Sequence, residues 1–254
     1  MSTTIAISGK GGSGKTTIAA LIVRLIVERA QGSVLAVDAD PNACLGLALG
    51  LEPETTISQI CDETLKGRLS SEPGVSRERA FQYAVHRAIA EGRGFDLLAM
   101  GHTEGPKCYC AVNHLLRSYL DSASGDYRFV VLDNEAGMEH LSRRTTTGVD
   151  FLLVAAEATV VGARTAERIL GLSERLPITI RDRRVLWNKV AASGALPPDA
   201  DRFPTAGAVP YDQAVADLAT RGGTVFELPA DSPSVGAVGE TVTELLGAAR
   251  APAT

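Results

Sequence analysis

Nine consecutive residues, Gly9-Lys10-Gly11-Gly12-Ser13-Gly14-Lys15-Thr16-Thr17, carry the spacing G-x-x-x-x-G-K-[ST]. Glycines let backbone N–H groups converge on an anion, a lysine adds a mobile positive charge, and a neighbouring hydroxyl can hold Mg²⁺. The chemistry is capture of a nucleoside triphosphate. The backbone from Gly11 through Gly12, Ser13, Gly14, Lys15 and Thr16 to Thr17 is expected to line the phosphates. Lys15 would reach the β- and γ-phosphates, and the Thr16 hydroxyl the metal. Context decides against a chance match. Thr4–Ser8 reads as a short buried strand before the loop, and Ile18–Val27 as a buried helix after it, so the loop opens at a helix N-terminus.

Carboxylates follow two further apolar runs. Ser33–Val37 leads into Asp38-Ala39-Asp40-Pro41, and Tyr127–Leu132 delivers Asp133. Asp133 fits the acid that holds Mg²⁺ directly or through water. Gly137, four residues on, would let a backbone N–H approach the γ-phosphate. Asp38 and Asp40 lie two residues apart and point the same way in extended chain. One can bind the metal's water shell while the other, with Asp40 favoured, orients the attacking water. The alternative for Asp40 is an Asp that caps a turn before proline.

Two residues refine the nucleotide reading. Lys10 is a second lysine, directly after the first glycine, and cannot easily fold back onto its own γ-phosphate. It can reach a nucleotide held by a facing subunit, as an arginine finger does, and that geometry demands a two-fold dimer. Otherwise it is solvated. Asn188 ends a strand and can pair bidentately with adenine N6/N7, or it satisfies a turn. A guanine pocket would want an acid at position 191, which is Ala191, so ATP is favoured over GTP.

Cys108-Tyr109-Cys110 suits a metal better than a disulfide, since one intervening residue leaves the thiols badly placed for an unstrained bridge. Two thiolates make half of a tetrahedral S₄ shell, and a two-fold axis would supply the other half. The dimer that Lys10 requires would therefore also complete this site. His102 and His114 are alternative ligands nearby. Cys44 and Cys61 stand alone among apolar residues and read as small buried hydrophobes.

These positions need a scaffold. Residues 56–66, 77–91, 112–120, 162–175, 213–220 and 235–249 read as helices; residues 95–100, 151–156, 184–188 and 206–210 read as further strands. Continuously apolar strands alternating with helices predict an α/β fold, a mostly parallel sheet with helices on both faces. The 254 residues suit a single domain spanning 1–254, without repeats or a convincing linker. Lys+Arg 25 against Asp+Glu 30, net charge −5, argues against a nucleic-acid-coating surface. With no signal-peptide pattern at the start and no apolar run near the roughly 18 residues of a membrane span, a cytoplasmic protein without a membrane partner is expected.

The loop from Lys10 to Thr17 resembles the deviant Walker A loop of the nitrogenase-iron-protein/MinD/ParA ATPases, a group of P-loop NTPases. Asp38–Pro41 resembles their switch I and Asp133–Gly137 their switch II. Within that group Cys108-Tyr109-Cys110 and Asp133–His140 are similar to the CooC family, nickel-insertion ATPases that mature carbon monoxide dehydrogenase. Residues 162–166, Asn188-Lys189 and Val209-Pro210-Tyr211-Asp212 fit as well, which adds Lys189 and Pro210 to the nucleotide contacts. The resemblance implies ATP-driven dimerisation, Ni²⁺ (or Zn²⁺) held by the two cysteines at the interface, and carbon monoxide dehydrogenase as client. Two departures stand out: Ala155-Ala156-Glu157-Ala158-Thr159 replaces an expected Asp-Pro turn, and no histidine-rich tail provides nickel storage. A MinD/ParA-like positioning ATPase and an iron–sulfur carrier ATPase are the competing readings. The first calls for a basic amphipathic helix or a basic DNA face, and the second usually places its cysteines on separate loops.

Overall fold

The computed structural model describes residues 2–65, 77–102, 125–135 and 148–250. Strand β1 (Thr3–Gly9) enters the phosphate loop and helix α1 (Lys15–Glu28) leaves it. There follow β2 (Val34–Ala39), α2 (Leu45–Leu49), α3 (Ile57–Leu65), α4 (Arg77–Arg87), β3 (Ala90–Glu91), β4 (Phe95–Ala99) and β5 (Phe129–Asn134). The second half holds β6 (Gly148–Glu157), α5 (Val160–Ser173), β7 (Thr179–Val190), β8 (Thr205–Pro210), α6 (Gln213–Arg221) and α7 (Pro233–Arg250).

The strands form one eight-stranded sheet in the order β3-β4-β2-β5-β1-β6-β7-β8. All pairings are parallel except β3 with β4. Strand β1 lies between β5 and β6. The phosphate loop thus leaves the middle of the sheet at the strands' C-terminal ends, where open α/β sheets bind ligands.

Period-two alternation divides the core in two. Ile5, Ile7, Val34 and Ala36 face one side with α1, α2, α6 and α7; Ala6, Leu35 and Val37 face the other with α3, α4 and α5. Helix α1 is buried nearly all round from Ile18 to Ile26, because α2, α7 and the sheet enclose it. Its first turn contains no acid and no side-chain cap, which leaves the positive end of the helix available to an anion.

Several boundaries differ from the sequence reading. The helix expected over 77–91 stops at Arg87, and Ala90-Glu91 turns back as β3. Helix α2 lies where no element was read. Strand β7 begins at Thr179 instead of Arg184. Its first half pairs only with β6, and β8 joins at Val185, so Thr179 and Arg181 to Arg184 keep polar side chains while Ile180 alone is buried there. The helix expected over 112–120 lies outside the described residues.

Candidate nucleotide site

The loop from Lys10 to Gly14 is a compact turn. The Ser13 N–H donates to Lys10 O at 3.1 Å, and the first helical bond runs from Ile18 N to Gly14 O at 3.0 Å. Gly12 and Gly14 sit at φ 80° and 88°, the left-handed region that costs an L-residue about 1–2 kcal/mol. Gly9 is required for a different reason. A Cβ there would lie 2.3 Å from Ala155 O and 2.7 Å from Ser13 Oγ, so β1 can approach β6 this closely only without a side chain. Lys15 is buried at 7% exposure, whereas Lys10, Gly11 and Gly12 are exposed. Thr16 and Thr17 are half-buried at the start of α1.

The acids converge from the strands beside β1. Asp133 pairs in register with Ile7 on one side and Asp38 on the other. Asp38 is fully buried and accepts from Asp40 N (3.2 Å) and Leu45 N (2.7 Å). Burial raises its pKa to about 7, with the Asp133 charge adding to the rise. Burial likewise lifts Asp133 to about 6; the Thr16 hydroxyl and the Lys15 charge beside it pull it back, and Asp40 pushes it further up. Yet neither Asp133 oxygen completes a well-formed hydrogen bond. Buried orphan carboxylate oxygens beside a second buried acid and a threonine hydroxyl form an oxygen donor set that suits Mg²⁺. Asn134 donates Nδ2 to Ile7 O at 2.9 Å and ties the end of β5 to β1.

Asp40 sits in a turn. Its Oδ1 accepts from Asn42 N (2.9 Å) and Asn42 Nδ2 (2.8 Å). Cys44 follows and corrects the sequence reading: it is exposed, while Cys61 is buried. Its place just before the short helix α2, with Sγ 3.6 Å from Asn42 O, keeps it at the surface.

Asn188 and Lys189 grip the phosphate loop. Asn188 donates Nδ2 to Ser13 O at 2.8 Å and accepts Lys189 N at 2.9 Å. An Asn amide has a second N–H and a second lone pair, so a contact with adenine would use those. Lys189 donates Nζ to Gly12 O and to Glu157 Oε1, both at 2.7 Å. Glu157, which motif reading passed over, lines the space beside the phosphate loop. It ends an apolar strand as Asp38 and Asp133 do, and that signal was present. Pro210 ends β8, half-buried, and the following Tyr211 N–H donates to Val190 O at 2.8 Å.

The structure therefore brings together Lys10, Lys15, Thr16, Asp38, Asp40, Asp133 and Asn188 at one end of the sheet. Gly137, Cys108, Cys110 and His114 lie outside the described residues; His102 is exposed. Among the described residues no group of three or more His, Cys, Asp or Glu side chains could hold a metal ion by themselves. No helix among them is long and apolar enough to cross a membrane.

Residues 4–225 match the family model described as the CobQ/CobB/MinD/ParA nucleotide binding domain. An uncharacterized ATP-binding protein of Methanocaldococcus jannaschii is 36% identical over 237 residues, 89% of this chain and 91% of that protein. The carbon monoxide dehydrogenase accessory protein CooC of Rhodospirillum rubrum is 29% identical over 238 residues, 88% of this chain and 89% of that one. Among solved structures, the septum site-determining protein MinD of Pyrococcus horikoshii, complexed with Mg-ADP, superposes with a TM-score of 0.68 at 20% identity and full coverage of both chains. That likeness establishes the shared fold. With a phosphate loop, an acid-ended sheet and a family match over most of its length, the chain belongs to the CobQ/CobB/MinD/ParA nucleotide-binding family and is an ATP-binding ATPase.

Proposed function

We propose that this ATPase is a metallochaperone of the CooC type, a two-fold dimer that carries Ni²⁺ to carbon monoxide dehydrogenase. The observation that carries the reading is the similarity to CooC along 88% of this chain and 89% of that protein. The Cys108-Tyr109-Cys110 pair, half of an S₄ shell, supports it.

In this reading the loop backbone and Lys15 neutralise the β- and γ-phosphates of ATP. Thr16 and Asp133, with Asp38 acting through water, would hold Mg²⁺, which supplies charge neutralisation at the phosphates when bound. Asp40 orients the attacking water. Lys10 reaches the nucleotide of the facing subunit and stabilises transition-state charge there. A backbone N–H at Gly137 senses the γ-phosphate. Asn188 and Pro210 close the adenine side, and Lys189 joins the nucleotide site through its bond to the phosphate loop at Gly12 O. The metal is cargo, held by Cys108 and Cys110 of two subunits and released to the client as the dimer opens.

Nickel titration of the purified protein, read as stoichiometry and mass together, with and without an ATP analogue, tests this. One Ni²⁺ per dimer, lost in the Cys108→Ser/Cys110→Ser variant, is the expected result. Thiolate shells also take Zn²⁺ readily, so a competition between the two metals names the cargo. A second reading, a MinD-like positioning ATPase, draws on the likeness to MinD; it predicts no tight metal in any nucleotide state. Visible charge-transfer absorbance of anaerobically purified protein would instead indicate an iron–sulfur carrier.

A further inference from the structure

Lys189 holds a backbone conformation that it adopts at a cost. Its φ is +54°, in the left-handed region that a side chain disfavours. The register between β7 and β8 shifts between Trp187 and Val190, and irregularities of this kind re-aim side chains next to functional sites. The surroundings fix the result at three points. Asn188 Oδ1 accepts the Lys189 N–H, and Nζ reaches both Gly12 O and Glu157 Oε1. Glu157 is available because β6 and β7 pair it with Asn188, one residue before the lysine.

The carbonyl that Lys189 holds belongs to a loop peptide. A peptide plane is rigid and trans, so fixing a carbonyl fixes the N–H on its other side. With Gly12 O held by Lys189, the N–H of the same plane, that of Ser13, points at Lys10 O and closes the turn. Likewise, Asn188 holding Ser13 O directs the Gly14 N–H of the same plane away from itself. Lys10 projects from the turn so closed. It lines a cavity of about 60 Å³ together with Gly11, Ser13, Glu157, Thr159 and Gly162. Glu157 and Lys10 thus share one small space. An exposed ion pair alone would contribute little, but this lysine is tied to the loop that must hold its shape while charge moves.

We infer that Lys189, steadied by Glu157, is a positioning residue of the ATPase. It sets the turn that presents Lys10 and shapes the phosphate nest, and it acts on turnover more than on recognition of the base. The inference rests on the reading of the Gly9–Thr17 loop as the ATP site.

Steady-state hydrolysis by the full chain across ATP concentrations, repeated with GTP, separates the roles. In Lys189→Met, kcat is expected to fall about ten- to hundredfold, the scale of a misplaced catalytic group. KM for ATP and the preference for ATP over GTP should stay within about twofold of wild type, a base contact being what would move them. Lys189→Arg, which keeps the charge and reach, should recover most of the loss. Glu157→Ala should move kcat the same way by about threefold, as a half-exposed pair allows. A rise in KM with collapse of the ATP preference would overturn the inference and make Lys189 a base contact. Unchanged kcat in both variants would overturn it too, leaving the bond to Gly12 idle. Should Lys189→Met fail to fold, Glu157→Ala decides by the same split. Lys15→Ala serves as the control for the site: hydrolysis surviving there removes the ATP-site reading itself, whatever the Lys189 variants do.

Discussion

Asp38 and Asp133 stand side by side as Cα partners on the neighbouring parallel strands β2 and β5. Both are buried, and both hold protons more tightly in the folded chain than in the unfolded one, with folded pKa values of about 7 and about 6. Between about pH 4, where unfolded aspartates ionise, and the folded pKa of Asp38, the pair's contribution to stability falls as pH rises. Metal-free protein should therefore lose melting temperature from pH 5 to pH 8 more steeply than Asp38→Asn does. Mg²⁺ with nucleotide should reverse the trend, raising the midpoint more at pH 8 than at pH 5. Thermal melts of both proteins across that range check the difference; parallel curves would show that burial does not raise the Asp38 pKa in the folded chain.

Lys15 is the best-buried charge of the phosphate loop. Lys15→Ala should lower hydrolysis at least about a hundredfold, the scale for removing a pre-organised charge from a developing anion. Far-ultraviolet circular dichroism should remain that of the wild type, because the apolar buried run of α1 begins only at Ile18.

Gly14 has no room for a side chain. A Cβ would lie 2.3 Å from Asn188 Nδ2, at a φ of 88°. Gly14→Ala should cost about 1–3 kcal/mol in denaturant unfolding. Part of that cost is a collision with one residue, so Gly14→Ala combined with Asn188→Ala should destabilise less than the two single changes added together.

Asp40 serves its turn through Oδ1 alone in the bonds to Asn42. An asparagine offers the same acceptor, so Asp40→Asn should keep its melting temperature within about 2 °C while losing hydrolysis and retaining ATP. Nucleotide binding by fluorescence, set against single-turnover hydrolysis, tests the separation. Normal turnover would reduce Asp40 to a turn residue.

What was legible in the sequence was what depends on neighbours along the chain. The loop from Gly9 to Thr17 announces itself because glycines, lysine and hydroxyl must follow one another directly. Asp38 and Asp133 were readable because each ends an apolar run, and a strand delivers its last residue to the ligand-binding end of the sheet. Lys189 gripping Gly12 was not readable in that way. It depends on which residue of β6 lies opposite Asn188 and on an irregularity in β7, both set by pairing between distant segments. Cys44 misled for a related reason: Ala43 and Leu45 are apolar in sequence, yet a short helix buries Leu45 and turns its predecessor outward. Strand β3 has two residues, too few for any periodicity.

Both margins of the sheet are poor templates for another strand. One is the two-residue antiparallel β3; the other, β8, has six residues, includes Gly207 and ends at Pro210, whose ring nitrogen donates nothing. A long ladder of open backbone groups, the usual route by which separate chains zip together, is absent at either margin among the described residues. Growth of one sheet across two molecules is therefore disfavoured. The dimer proposed above would therefore meet through loop ends and helix surfaces, and of those the loop ends are where ATP chemistry is housed.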